Sequence, residues 1–432
     1  MERCKPSQRS VAVIGSGVSG LVASHVLALR DRVTLYEADT RLGGHAHTHQ
    51  IQLDQDGETV GVDTAFLVHN DRTYPTLCRL FGELGIETRE TDMSMSVRDD
   101  ATGLEYAGAR GIGGLFPSMS SLARPRYLLM LAEVKRFHRA ALRLLDGEAD
   151  GETVGQFLAR HNFSQYFIDY FMTPLIAAVW SSPPGQSLNY PARYLFVFLE
   201  HHGMLSVFDS PTWKTVVGGS ATYVDAVANV VDEVRIGVPV RSVRRVSEGV
   251  ELSDGVSGPR LFDAAVIATH PDQALLMLAE PTSAEQRVLG AIGYSTNQAQ
   301  LHTDESVLPR RRRARASWNY LATSDDQQVL VTYDVTRLMR LGGDRRFLVT
   351  LGGADRVDPA SVLTEMTYSH PMYTPESVAA QQLLPTLNDD RVVFAGAYHG
   401  WGFHEDGAAS GLRAAQRLGA EWPAVSREAV PC

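Results

Sequence analysis

The chain has 432 residues, 44% of them hydrophobic and 21% charged, with a formal net charge of −10. That length accommodates two domains, or one large domain carrying an insertion, and the balance is that of a globular protein with a sizeable core. The acidic balance argues against a general nucleic-acid binder, and no run of about 18 uncharged apolar residues marks a spanning helix. Cys4, Cys78 and Cys432 are far apart and form no CxxC, so neither a disulfide framework nor a zinc site is indicated. The polar start MERCKPSQRS lacks the apolar core of a signal peptide, so a cytoplasmic, reduced setting is expected.

In chain order, the first clear unit is SVAVIGSGVSGLVASHVLALRDRVTLYEAD. An apolar run, Val11 to Ile14, predicts a strand, followed by a glycine-rich turn, a helix and a second strand from Val33 to Tyr36. Gly15, Gly17 and Gly20 form GxGxxG where that strand meets that helix, with Ser19 at the helix start. The first glycine makes the tight turn, the second admits a pyrophosphate, and the third lets the helix pack on the strand. The helix N-terminus then faces the phosphate charge. Glu37 ends the second strand, where an acid can bind ribose hydroxyls. Together these elements predict a dinucleotide site.

The next residues, Ala38 to His49, separate flavin from nicotinamide. An acid followed by Arg41, Gly43 and Gly44 (R-x-G-G) resembles the extended flavin fingerprint of amine-oxidase-like flavoproteins, so FAD is the expected cofactor. His45, His47 and His49 alternate, and on an extended strand they would share one face. A metal site is geometrically open there, but no carboxylate or cysteine cluster accompanies them, and no metal is expected. His45 is expected near the flavin, whereas His47 and His49 are expected to pack or hydrogen-bond.

Residues 115–215 carry Leu, Phe, Tyr and Met at helical spacing, as in RYLLMLAEVKRFHRAALRLL. Most of these should be core, in a helical lid that could also wall an apolar tunnel beside a flavin. The stretch VVGGSATYVDAVANVV and the runs to FDAAVIATHP read as a helix with two or three strands. Arg310 to Arg313 form a basic run that is either a solvated edge or a surface for anionic headgroups. Near the C-terminus, RVVFAGAYHGWGFHEDGAASGLRAAQ reads as a buried strand to Ala395, a loop, and a helix opening near Gly407.

That C-terminal segment looks like the second flavin motif of the same superfamily, which implies cofactor contacts from Gly396, Glu405, Asp406 and Ala408, and an adenine-side place for Val240. Glu405 and Asp406 also suit a helix N-terminus as caps. A closer resemblance is carried by NDRTYP, DMSMSV, AAVWSSPP, ASWNY, HPMYTPES and FHEDG. It is to a group of amine-oxidase-like NAD/FAD-binding proteins associated with, and sometimes fused to, cyclopropane-fatty-acid-synthase-type methyltransferases. The resemblance implies an FAD enzyme acting on a fatty-acyl or phospholipid chain, with desaturase-like oxidation, a methyltransferase partner and contact with the membrane periphery.

The expected architecture is α/β: a Rossmann-like FAD domain of the amine-oxidase type with an inserted mixed α+β substrate domain. The FAD domain is drawn from 10–95, 216–275 and 381–425, and the substrate domain from 96–215 and 276–380. His45, Tyr398 and His404 are the expected proton-handling residues, with His399 beside them; Tyr74, Trp180, Trp318 and Tyr320 are expected to line the substrate pocket. Two other readings stay open. One is an amine oxidase, which commonly places a lysine near the flavin; Lys214 is the last of three lysines here. The other is a redox-neutral double-bond isomerase or a non-redox partner of a methyltransferase.

Overall fold

The computed structural model describes residues 8–53, 59–147, 151–180, 187–206, 210–322, 330–353 and 355–423. Cys4 and Cys432, the first residues of MERCKPSQRS and the SSPP of AAVWSSPP lie outside them. The first predicted unit forms as expected: strand β1 (Ser10–Ile14), helix α1 (Val18–Ala28) and strand β2 (Arg32–Tyr36). They belong to a five-stranded parallel sheet ordered Glu233–Arg235, β2, β1, Ala264–Ile267, Val392–Phe394. Its central strands are covered on both faces, and such strands read as continuous apolar runs rather than alternating ones.

The C-terminal helix, His404–Arg417, lies against α1. Glycines set that contact: a Cβ at Gly411 would fall 2.1 Å from the Ser19 carbonyl oxygen, and one at Gly407 2.6 Å from Val18 Cγ1. The helix opens at His404, three residues before the predicted start, because Asp406 reaches back to accept from the Phe403 N–H at 2.9 Å. The segment around Val243 does not extend the parallel sheet. It forms an antiparallel meander, Ser242–Val246, Gly249–Ser253 and Arg260–Phe262, over the opposite face.

A second, seven-stranded mixed sheet runs Val362–Pro371, Tyr294–His302, Leu348–Leu351, Val331–Asp334, Trp318–Ala322, Met95–Asp99, Leu104–Gly108. Helices between residues 111 and 201 cover one side of it around Phe137, Phe157, Phe167 and Phe196, all fully buried. A single turn of π-helix, Ile168–Met172, leads into Thr173–Trp180, which carries its last residues to the edge of the central cavity.

Between the sheets, Asp63 is buried and pins the Gly218–Ser220 turn. It accepts from the Ser220 N–H (2.9 and 3.0 Å), the Ser220 hydroxyl (2.8 Å) and the Thr48 hydroxyl (2.5 Å). Asp63→Ala leaves these buried donors without an acceptor and should lower unfolding stability by about 3 kcal/mol. Asp63→Asn, which keeps an acceptor, should lower it less. Equal urea midpoints for the two variants would contradict this assignment.

Candidate active site

A cavity of about 890 Å³ runs from the β1–α1 turn to the helical layer, within the roughly 300–1,000 Å³ typical of ligand sites. One end is the glycine cradle. Gly15 takes φ +100°, and a Cβ at Gly20 would sit 1.8 Å from the Gly15 carbonyl oxygen, so α1 can approach only with glycine there. At Gly17 a Cβ would meet nothing within 4 Å, because that position faces the cavity. No side chain caps α1, whose first N–H groups are left for an acceptor. Gly43 and Gly44 both take positive φ, and the Gly43 N–H donates to Ser16, closing the second glycine turn against the first.

Glu37 lines this end, but its carboxylate is largely engaged. It accepts from the Ser16 N–H (2.9 Å), the Ser16 hydroxyl (2.5 Å) and the Asp39 N–H (2.8 Å). A carboxylate offers about four acceptor sites, so roughly one remains for a ribose hydroxyl. Ser16, fully buried at the centre of this network, was not singled out by the sequence, where it is merely a variable position of GxGxxG.

Of the residues named from the sequence, the structure gathers Gly15, Gly17, Ser19, Glu37, Ala38, Arg41, Gly44, His45, Tyr74, Trp180, Val240, Trp318, Gly396, Tyr398 and His404 around the one cavity. Gly20 and Gly43 shape it without lining it. Five others, Glu405, Asp406, Ala408, Tyr320 and His399, do not line it. Glu405 caps the helix Pro75–Leu84, accepting from the Thr76 N–H at 2.9 Å and the Leu77 N–H at 3.0 Å. Asp406 caps its own helix, and Ala408 is fully buried. The two carboxylates do not face the cavity because each is spent on backbone N–H groups, Glu405 on those of the Pro75–Leu84 helix and Asp406 on the start of its own helix. Tyr320 lies two residues beyond Trp318 and packs into the helical-layer core rather than the cavity wall.

The three alternate histidines do not share a face, because the strand begins only at Thr48. His45 lies in the preceding turn and faces the cavity, 5.3 Å from the His370 ring and 5.2 Å from the Tyr368 ring. His47 instead bonds the Tyr368 hydroxyl at 2.9 Å and lies against His49, with ring centres 4.1 Å apart. His270 and His370 also line the cavity. Neither was singled out as a site residue: His270 follows the strand Ala264–Ile267, and His370, the first residue of HPMYTPES, lies near the end of Val362–Pro371.

Burial sets the ionisation of these groups. His45 is held well below the usual imidazole range, with His370 as the next cause, and His404 is lowered to about 3. Both are therefore neutral at ordinary pH. His404 stacks on Phe66 at 3.8 Å. The Tyr398 hydroxyl is pushed up by burial and stays protonated. Asp406 is raised to about 7 by the same cause.

Among the described residues, four polar atoms on the cavity wall are buried without a partner: His45 Nε2, His404 Nε2, Trp318 Nε1 and the Tyr398 hydroxyl. Buried polar groups are normally paired, so this wall suits a ligand that brings donors and acceptors of its own. A flavin does so, and the uncapped helix N-terminus beside Gly17 suits its pyrophosphate. The residues fit FAD.

The far end of the cavity is apolar, with Met93, Ala178, Val179, Trp180, Phe198 and Met204 on its wall. Trp180 is fixed by donating from Nε1 to the Trp401 carbonyl at 3.0 Å. Glu37, Asp39, Arg41 and Arg241 are the charged carboxylate and guanidinium side chains among the lining residues, and none belongs to this wall. Lys214 is not on the wall; it pairs with Asp71 at 2.8 Å.

Comparison with known proteins agrees with this geometry. A family model described as flavin containing amine oxidoreductase matches residues 18–345 and 356–419. Protoporphyrinogen oxidase 2 of Arabidopsis thaliana is 26% identical over 190 residues, 41% of this chain and 34% of that one. The mitochondrial protoporphyrinogen oxidase of Nicotiana tabacum is 28% identical over 187 residues, with the same shares. The match thus spans about a third of the length of these curated relatives. Among solved structures, wild-type putrescine oxidase bound to putrescine superposes with a TM-score of 0.68 at 16% identity, over 96% of this chain and 99% of that one. A fatty acid isomerase from P. acnes that produces CLA gives 0.70 at 14%, over 96% and 100%. At those identities the likeness is one of fold. With both glycine turns, the cavity and a family match over most of its length, the chain belongs to the flavin-containing amine oxidoreductases.

Proposed function

We propose that the substrate is a fatty-acyl or related lipid chain, from which the enzyme removes a hydride and a proton to form a double bond. The observation that carries this reading is the apolar end of the cavity, walled by Trp180, Phe198 and Met204, with no carboxylate among the described residues there to receive an ammonium group. Lys214 is engaged by Asp71 away from that wall, which weighs against an amine-oxidase arrangement built on it.

Bound oxidised flavin supplies a hydride acceptor. The chain's own residues hold the acyl C–H in place, exclude water and take up one proton. We assign that proton handling to the neutral imidazoles of His45 and His404, with the Tyr398 hydroxyl as a hydrogen-bond donor. The sequence resemblance supports a cyclopropane-synthase-type methyltransferase as a partner in the same lipid modification.

Product mass tests the reading. With an electron acceptor present, the lipid should lose two hydrogens. A shifted double bond at unchanged mass would assign a redox-neutral isomerase to the same cavity. Met204→Glu places a carboxylate in the apolar wall and should lower lipid turnover by more than roughly tenfold. Flavin content should stay normal; unchanged lipid turnover in this variant would contradict the assignment of that wall.

A further inference from the structure

The helix Pro125–Asp146 has 22 residues, about 33 Å at 1.5 Å per residue, and it divides into two unlike faces. Tyr127, Met130, Phe137 and Ala141 are fully buried and build the helical-layer core. The opposite face is solvent-exposed and mixes leucines with cations. Leu128, Ala132, Lys135, Arg139 and Leu142 follow one another at spacings of three and four residues, with Leu129, Arg126 and Arg143 beside them. Leu129 is 57% exposed. The acid in the middle of the helix, Glu133, is buried and occupied by Ser164 and Arg136. Lys135, Arg139 and Arg143 make no ion pair among the described residues. A surface helix that only needed solubility would alternate its charges and would not leave leucines uncovered.

Neighbouring segments continue the face. The turn Met119–Ala123 packs against this helix, and the Tyr127 hydroxyl donates to the Leu115 carbonyl at 2.7 Å. Met119 is 81% exposed and Ile112 80%. The short helix Gly111–Leu115 in turn packs against the turn Arg312–Ala314, where Arg312 and Arg313 are exposed and make no ion pair among the described residues. All this lies in a chain whose net charge is −10. Apolar side chains interleaved with unpaired cations, on an otherwise acidic protein, complement an anionic lipid surface. Nucleic acid would match the cations but not the leucines.

We infer that this face, centred on Leu128, Leu129, Lys135 and Arg139 with Ile112 and Met119 at its edge, docks the enzyme flat onto an anionic lipid bilayer. No helix among the described residues is long and apolar enough to cross one, so the helix lies in the interface. The docking surface is built from the outer side of the helical layer whose inner elements, Thr173–Trp180 and Ala192–His201, wall the cavity. The inference rests on the acyl-chain reading only for its purpose, not for its geometry.

Flotation of the flavin-loaded full chain with lipid vesicles tests it, and binding is scored without any turnover. The wild type should float with vesicles of equal parts phosphatidylglycerol and phosphatidylcholine and stay behind with phosphatidylcholine alone. High salt should release it, since screening shortens from about 8 Å at 0.15 M to about 3 Å at 1 M. Lys135→Gln with Arg139→Gln should weaken binding roughly 25-fold, two interfacial charges at about fivefold each. Leu128→Ser with Leu129→Ser should also abolish flotation. All four side chains are exposed, so both variants should keep their yellow flavin. Equal binding to neutral vesicles, or full binding by both variants, overturns the inference. So does a wild type that never floats but is an oligomer dispersed by the leucine variant, which would make the face an interface between copies. A floating enzyme that turns over no lipid would leave docking established and defeat the acyl-chain reading.

Discussion

Gly17→Val should yield a folded but colourless protein. Gly17 has φ −61° and ψ 171°, a conformation open to any residue, and a Cβ there touches nothing within 4 Å. The backbone therefore accepts the substitution, and the isopropyl group projects into the space beside the α1 N-terminus that a pyrophosphate needs. Gly20→Val makes the complementary case. Its Cβ would overlap the Gly15 carbonyl at 1.8 Å, so α1 cannot close on β1 and soluble protein should be lost. Thermal unfolding and flavin absorbance, measured on both variants, separate the two effects. A yellow Gly17→Val protein with wild-type flavin content would remove this turn from the cofactor site.

Stability should fall steeply as pH drops from about 7 to 5. Burial lowers His69, His202 and His370 to about 4 and His399 and His404 to about 3, against 6.5 for a free imidazole. A base with a depressed folded pKa contributes stability that is present above 6.5 and is lost as pH falls toward the folded value. Asp63, raised to about 6, and Asp406, raised to about 7, act in the opposite sense. Their contribution is present below 3.8 and is lost as pH rises through 6 to 7. The imidazoles outnumber the acids, so unfolding near pH 5.5 takes up on the order of three protons. Stability then changes by roughly 4 kcal/mol per pH unit there. Denaturant midpoints at pH 5.5 and 7.5 check the sign; a higher midpoint at the lower pH would contradict it. Asp406→Asn should steepen the loss on acidification, because it removes one opposing group.

The nucleotide half of the molecule is readable from the chain because its determinants are local. β1, the GxGxxG turn, α1 and β2 are contiguous, and two glycines answer close contacts that the fold imposes, Gly20 on Gly15 and Gly411 on Ser19, while Gly17 keeps the cavity side of the turn open. The R-x-G-G turn is legible for the same reason, since Gly43 and Gly44 need positive φ. The cavity wall is less legible. His270 follows a strand of the parallel sheet and His370 lies near the end of a strand of the mixed sheet, and nothing in their own neighbourhoods says that they converge. Glu405 misleads for the opposite reason. It sits in a motif tied to the cofactor, yet its carboxylate serves Thr76 and Leu77, more than 300 residues away in sequence. The alternation of His45, His47 and His49 predicts a shared face only if all three lie on a strand, and the chain turns before Thr48. The helical spacing of Pro125–Asp146 predicts that most of its apolar residues are core, and that period is satisfied on the buried side. The exposed leucines become visible only once the helix is placed.

The most direct measurement is an anaerobic titration of the yellow protein, following its flavin absorbance band. Unsaturated and methyl-branched phospholipids form one arm, and simple amines such as putrescine form the other. Bleaching by a lipid, with no response to the amines, is the predicted result. Bleaching by an amine, with every lipid inert, would contradict the acyl-chain account.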